Sequence, residues 1–248
     1  MIVLGIETST ARSSVALLVD GTVVAHEQHE DARGHGAFLA PAMRRCLDAA
    51  PASDGAPAGV AHVDAVAVGT GPGLYTGLRV GMATAAAFAT ARDLPIVGIG
   101  GMDALAHAEM REGAGDVAVT LVTTIDARRG QVFWAVHRAD GATLERVDGP
   151  RVGTRDELDA MCTTLAEDGE VRIVGEVGGE GTRRPDAADT ARLALLVLGA
   201  TPHGELVAEL LTPVYLRDAD VRIGWNERGG VRVGGTGGGT GGGTGGAA

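Results

Sequence analysis

The chain has no lysine among its 248 residues, so all 21 of its basic side chains are arginines. That excludes a Gly-x-x-x-x-Gly-Lys-Ser/Thr phosphate loop, which needs the ammonium group beside the phosphates. Acids outnumber bases and give a formal net charge of −11. A chain this acidic is a poor stand-alone binder of nucleic acid, because phosphate contacts supply most of that affinity; where RNA is involved, a partner is expected to hold it. Aromatic residues are only 3% of the chain against 45% hydrophobic residues overall. Alanine, valine and leucine must therefore fill the interior, which lets helices and strands approach closely. The two cysteines, Cys46 and Cys162, lie far apart without CxxC spacing, as expected of reduced, buried thiols. None of the serines Ser9, Ser13, Ser14 and Ser53 stands in a G-x-S-x-G elbow, which argues against a hydrolase nucleophile. No apolar run approaches the roughly 18 residues of a membrane span. Met1 leads straight into Ile2–Ile6 with no basic segment before it, so neither a signal peptide nor a membrane partner is expected, and the expected location is cytoplasmic.

What the chain does have is glycine, and the densest informative stretch is Gly69-Thr-Gly-Pro-Gly-Leu-Tyr-Thr-Gly-Leu-Arg-Val-Gly81. It follows an apolar run, Val63–Val68, and precedes an alanine-rich helical pattern, Leu78–Ala91. Glycine permits positive φ and close backbone approach, and a strand–turn–helix of this kind can aim amides at an anion. Gly69, Gly71, Gly73 and Thr76 are therefore candidates for a nucleotide or anion loop, with a tight packed turn as the other reading.

The order of elements repeats. The first half reads as strands at Ile2–Glu7, Ser14–Val19 and Thr22–His26, a helix at His35–Ala49, a small-residue loop at 51–59, then the strand, glycine stretch and helix just described. The second half reads as strands at Val117–Ile125, Gln131–His137 and Ala142–Val147, a helix at Thr154–Glu167 whose Thr154 and Glu157 fit a capping box, a strand at Val171–Val174, a glycine-rich loop and a helix at Ala187–Leu198. The strand-end acids Glu7 and Asp126 are 119 positions apart, and the Asp-Gly hairpin signals at Asp20 and Asp140 are 120 apart. Between the halves, Leu94–Gly100 and Met102–Arg111 read as a crossover strand and helix. A short helix is expected at 205–211, and the Gly/Thr-rich tail buries too little to order itself. Two duplicated β-β-β-α-β-α lobes describe an α/β, actin-like ATPase (ribonuclease H-like) fold, with an N-terminal lobe at 1–101, a C-terminal lobe at 102–217 and a disordered tail at 218–248.

Four stretches together resemble the TsaB (YeaZ) family: Ile-Glu-Thr-Ser-Thr at 6–10, Gly-Pro-Gly-x-x-Thr-Gly-Leu-Arg-x-Gly at 71–81, Asp-Ala-Arg-Arg-Gly-Gln-Val-Phe-Trp-Ala at 126–135 and Pro-Val-Tyr-Leu-Arg at 213–217. The resemblance covers roughly residues 1–217. Glu7 stands where the family more often has Asp, Leu74-Tyr75 where Ser-Phe is common, and the Gly/Thr tail is foreign to the pattern. The resemblance implies a non-catalytic accessory subunit in the threonylcarbamoylation of the tRNA adenosine next to the anticodon. It implies a heterodimer with a TsaD-type paralogue through two helices of the first lobe, a TsaE-type ATPase as a further partner and tRNA reached through the complex; the state of the chain alone is left open, a homodimer being one alternative. ATP and metal are expected on the partner subunits, with no intrinsic cofactor.

The paralogue's metal site uses His-x-x-x-His on the helix where this chain has His35 and Leu39, so no metal site and no catalytic residue are assigned here. His35 then reads either as partner-facing or as an ordinary helix-start residue. On the same helix pair, Phe38, Leu39, Met43, Leu78, Met82, Ala85 and Phe88 are the further candidates for the partner surface, with burial against the chain's own sheet as the other reading. Glu7 and Asp126 resemble the strand-end acids that position metal and water in actin-like ATPases; the alternative is hydrogen bonding to adjacent turn amides. The competing function is a nucleotide phosphohydrolase or kinase acting in its own inter-lobe cleft. Arg79, Arg128, Arg129 and Arg217 are expected to pair with acids rather than with phosphate.

Overall fold

In the computed structural model of the chain, residues 1–50, 62–114, 118–140, 143–179, 182–200 and 211–216 are described. The expected loop at 51–59, Val117 and Ala142 at the starts of two expected strands, Gly141 of the second hairpin signal, Glu180 and Gly181 of the glycine-rich loop, residues 205–210 of the expected short helix, Arg217 and the tail lie outside these residues.

The first sheet holds β1 (Ile2–Glu7), β2 (Arg12–Val19), β3 (Thr22–Glu30), β4 (Ala65–Gly71) and β5 (Ile96–Gly100) in the order β3-β2-β1-β4-β5. The second holds β6 (Val119–Arg128), β7 (Gln131–Asp140), β8 (Thr143–Thr154) and β9 (Val171–Gly175) in the order β8-β7-β6-β9. In each, the first strand lies between an antiparallel hairpin partner and a parallel fourth strand. The duplicated plan is therefore real, and the fold is of the actin-like ATPase type. The continuous apolar run of β1 suits a central strand covered on both faces. β3, at the edge, alternates half-buried and exposed residues along most of its length. Asp20 and Gly21 both take positive φ, 48° and 80°, as a two-residue hairpin turn demands.

Two helices, α1 (His35–Asp48) and α2 (Tyr75–Arg92), cover one face of the first sheet. Leu39, Met43, Cys46, Ala85 and Ala89 pack there on Leu4, Ile6, Val15, Leu17, Val66 and Val68. The other face is covered by α5 (Ala187–Ala200), whose Ala187, Ala191, Ala194 and Leu198 meet Val3, Ala16, Leu18 and Ala67. This helix follows the second sheet in sequence yet packs on the first. Gly5 makes that approach possible: a Cβ there would lie 2.2 Å from the Ala187 carbonyl oxygen. On the second sheet, α4 (Arg155–Ala166) sets Leu158 against Val122, Val132, Trp134 and Val136. Its Thr154–Glu157 capping box is present. The crossover helix α3 (Gly101–Glu109), extended by a short π-helical turn at Met110–Ala114, packs Met102 and Leu105 on Ile125, Phe133 and Ala135.

Candidate functional site

β4 runs further than its apolar segment, through Gly69 and Gly71, because both keep pairing with β5. What these glycines make room for is the chain itself. A Cβ at Gly69 would lie 2.0 Å from Oε2 of Glu7; one at Gly73 would lie 2.1 Å from the Ser9 carbonyl oxygen; one at Gly77, 2.2 Å from that of Thr8. The Leu74 N–H, at the head of α2, donates to the Ser9 carbonyl at 2.7 Å, and Thr8 Oγ1 donates to the Gly77 carbonyl at 2.8 Å. Of the two readings of the loop, these contacts describe the packed turn. Its glycines let the β1–β2 turn close against α2. Thr76 is exposed beside it.

Glu7 is fully buried at the end of β1. Its Oε1 accepts the Ser9 N–H at 2.7 Å, and its Oε2 accepts from Thr190 Oγ1 of α5 at 3.4 Å. Burial pushes its pKa above the ordinary carboxylate range, and the Ser9 and Thr8 hydrogen bonds only partly oppose this. Asp126 makes the matching contact in the second half: its Oδ1 accepts the Arg128 N–H at 2.8 Å, and its Oδ2 pairs with the Arg128 guanidinium at 3.1 Å. Each strand-end acid thus fastens the backbone two residues on, the turn-amide reading of both.

A connecting segment links the surroundings of the two acids. Arg184 Nε donates to Glu176 Oε1 at 2.7 Å, and Glu176 Oε2 accepts the Asp126 N–H at 3.0 Å. Arg184 also pairs with Glu30 at the end of β3. Arg12 reaches the carbonyls of Arg184 and Pro185, and Asp186 pairs with His26 at 3.1 Å. Sequence reasoning missed this strap, whose only signal is its Arg-Arg-Pro-Asp composition.

On α1 and α2 the partner-surface candidates need correction. His35, Leu39, Met43, Leu78 and Ala85 are buried within this chain, and a side chain in the core cannot face a partner. Phe38, Met82 and Phe88 are half-buried against the same core. His35 Nδ1 is hydrogen-bonded to Ser13 Oγ, and its ring lies over Gly77. Burial lowers its pKa, so the neutral imidazole is favoured. The residues that face outward include Ala37, Ala40, Pro41 and Arg44 on α1, and Arg79, Ala83, Ala87 and Thr90 on α2. They follow helical spacing on the sides opposite the core, which is the signal that could have located them.

The family profile described as "TsaD: tRNA N6-adenosine threonylcarbamoyltransferase" matches residues 22–172. An uncharacterized protein of Mycobacterium leprae is 38% identical over 162 residues, 64% of this chain but only 40% of that protein. The tRNA threonylcarbamoyladenosine biosynthesis protein TsaB of Bacillus subtilis is 30% identical over 244 residues, covering 92% of this chain and 99% of that protein. The chain belongs to the TsaB (YeaZ) family. The solved structure of YeaZ from Pseudomonas aeruginosa superposes with a TM-score of 0.66 at 26% identity, over 87% of this chain and 99% of that one.

The terminal Pro-Val-Tyr-Leu part of the TsaB resemblance is seated beside the glycine segment. Val214 N–H donates to the Thr70 carbonyl at 2.9 Å. Tyr215 packs on Tyr75 with ring centroids 4.9 Å apart, Arg79 lies 3.9 Å over the Tyr75 ring and its Nε donates to the Tyr215 hydroxyl at 3.1 Å. The contacts of Arg79 are thus aromatic, where an acid was expected. Among the described residues no group of three or more His, Cys, Asp or Glu side chains is arranged to hold a metal ion, and no helix is long and apolar enough to cross a membrane.

Proposed function

We propose that this TsaB-family chain is a non-catalytic accessory subunit in tRNA threonylcarbamoyladenosine formation, docking on a TsaD-type paralogue through the outer face of α1 and α2. The observation that carries this reading is the pairing of an exposed, alanine-rich helix face with strand-end acids and glycines already committed to internal contacts. Ala37, Ala40, Ala83 and Ala87 add no bulk, so helices of a partner can approach the backbone and bury the flanking Phe38, Met82 and Phe88 more fully. The sheet beneath fixes both helices, so little order is lost on docking. ATP and metal belong on the partner subunits, with a TsaE-type ATPase in the assembly. The tRNA is held by the complex, since a chain of net charge −11 repels it.

The test is reconstitution with the TsaD- and TsaE-type proteins of the same organism, reading complex formation by size exclusion and modified adenosine by mass spectrometry. Modification should require this chain, and the chain alone should not turn over ATP with magnesium. Ala83→Trp and Ala87→Arg, both at exposed positions, should weaken the complex by roughly tenfold or more, the scale of an interface hot spot, with the melting temperature unchanged. Intact complexes with both variants would move the interface elsewhere; turnover of ATP by the isolated chain would favour a phosphohydrolase or kinase.

A further inference from the structure

A cavity of about 280 Å³ is lined from α3, β7, β8, α5 and the π-helical turn, and the proposed docking role makes no use of it. Its lining divides by chemistry. Met110, Leu144, Leu193 and Leu196 are apolar; Asp103, His107, His137 and Arg146 are polar. Leu196 is 57% exposed, the most exposed of the large apolar side chains among the described residues.

Three of the polar groups are tied to one another. Asp103 Oδ1 is bonded to His137 Nε2 at 2.9 Å and accepts from Arg146 Nη1 at 3.2 Å, and Oδ2 accepts from the same Nη1 at 3.0 Å. The one carboxylate in the lining is therefore engaged through both oxygens and has little left to offer a cation. The guanidinium is not: among the described residues Nε and Nη2 of Arg146 have no hydrogen-bond partner. These two nitrogens form the edge that grips a carboxylate with two parallel bonds. Arg146 is held by Asp103, and Asp103 by the buried His137, so the fork is fixed in advance. His107 and His137 each keep a buried Nδ1 with no partner among the described residues, the kind of orphan that a ligand or ordered solvent satisfies. One fork beside an apolar remainder matches a single negative charge on a hydrocarbon body better than a multiply charged phosphate.

We propose that this cavity binds a small unbranched monocarboxylate, its head on the free edge of Arg146 and its tail against Met110, Leu144, Leu193 and Leu196. The proposal does not depend on the docking role. Calorimetric titration of the full chain with butyrate, hexanoate and octanoate tests it, with hexylamine and inorganic phosphate as controls. Saturable one-to-one binding is expected, tightening roughly fourfold per methylene until the tail fills the space. Arg146→Gln should weaken hexanoate about tenfold or more, the loss of a charge-assisted contact. Leu196→Glu, at an exposed position that the fold tolerates, should weaken it comparably by setting a like charge beside the ligand. Absence of saturation, hexylamine or phosphate binding as tightly as hexanoate, or undiminished affinity in either variant would overturn the assignment.

Discussion

Glu7 has no exposed surface, and the space that a side chain at Gly69 would need is filled by its carboxylate. Gly69→Ala therefore sets a methyl against a buried acid between strands that cannot part. A loss of about 3 kcal/mol, the upper part of the overpacking range, is expected in urea denaturation, and shortening the acid as well, in Gly69→Ala with Glu7→Ala, should restore part of it. The raised pKa of Glu7 has a signed consequence. The folded state holds that proton more tightly than the unfolded one, so the contribution of this group to stability falls as pH rises from the unfolded carboxylate value through the folded one. Glu7→Gln keeps an acceptor for the Ser9 N–H, sets an NH2 group against the Thr190 hydroxyl, which then accepts where it had donated, and removes the ionisation. Its stability relative to the parent should improve as pH goes from acid to neutral; a trend of the opposite sign would show that the charged form is the one the fold prefers. The packed turn and the bond from Glu7 to a turn amide were each one of two readings open in the sequence, which held nothing to choose between them. An anion cradle and a close backbone approach both call for glycine, and only the contacts reveal which atoms occupy the vacated space.

At the scale of elements, the helices and hairpins were largely readable, because apolar periodicity, Asp-Gly pairs and the capping box are local signals. The ends of strands were not. β3, β7 and β8 run well past their apolar segments, since edge positions and hydrogen-bonded extensions need no hydrophobic run. The choice of helix face went wrong for a related reason: large apolar residues mark the side of α1 and α2 that meets the sheet, so Leu39, Met43 and Leu78 were drawn into a surface they do not form. Pro41 sits on the opposite, exposed side of α1, inside the helix. It lacks the N–H that would bond the Ala37 carbonyl. Pro41→Ala should raise the stability of the isolated chain by about 1–3 kcal/mol, read from thermal or urea unfolding, in line with the cost of proline in a helix interior. An unchanged or lower stability would mean that the helix has already adjusted to the missing bond.

The absence of lysine reaches the whole molecule through the strap that ties the two sheets. There Arg12, Arg183 and Arg184 act as forked donors, each able to hold several acceptors at once: Arg183 binds both oxygens of Glu112, and Arg184 joins Glu30 of the first sheet to Glu176, which in turn holds the Asp126 amide of the second. A lysine offers no such planar fork. The Arg184–Glu176 contact is also the better shielded kind, with side-chain exposures of 28% and 10%, whereas the helix-surface pair Arg44–Asp48 stands at 74% and 44%. The shielded pair should therefore matter far more, since exposed helix pairs contribute only about 0.3–0.5 kcal/mol. Arg184→Gln should cost about 1.5–3 kcal/mol, the range for a hydrogen bond to a charged group, while Arg44→Gln should be nearly silent. A double-mutant cycle with Glu176→Gln separates the pair from its surroundings: a coupling energy near zero would show that the strap is held by its backbone contacts to Arg12 instead. If the pair is the tie, amide exchange should also quicken at Asp126 and Arg128, because loosening Glu176 releases the β6–β7 turn as well as the strap itself.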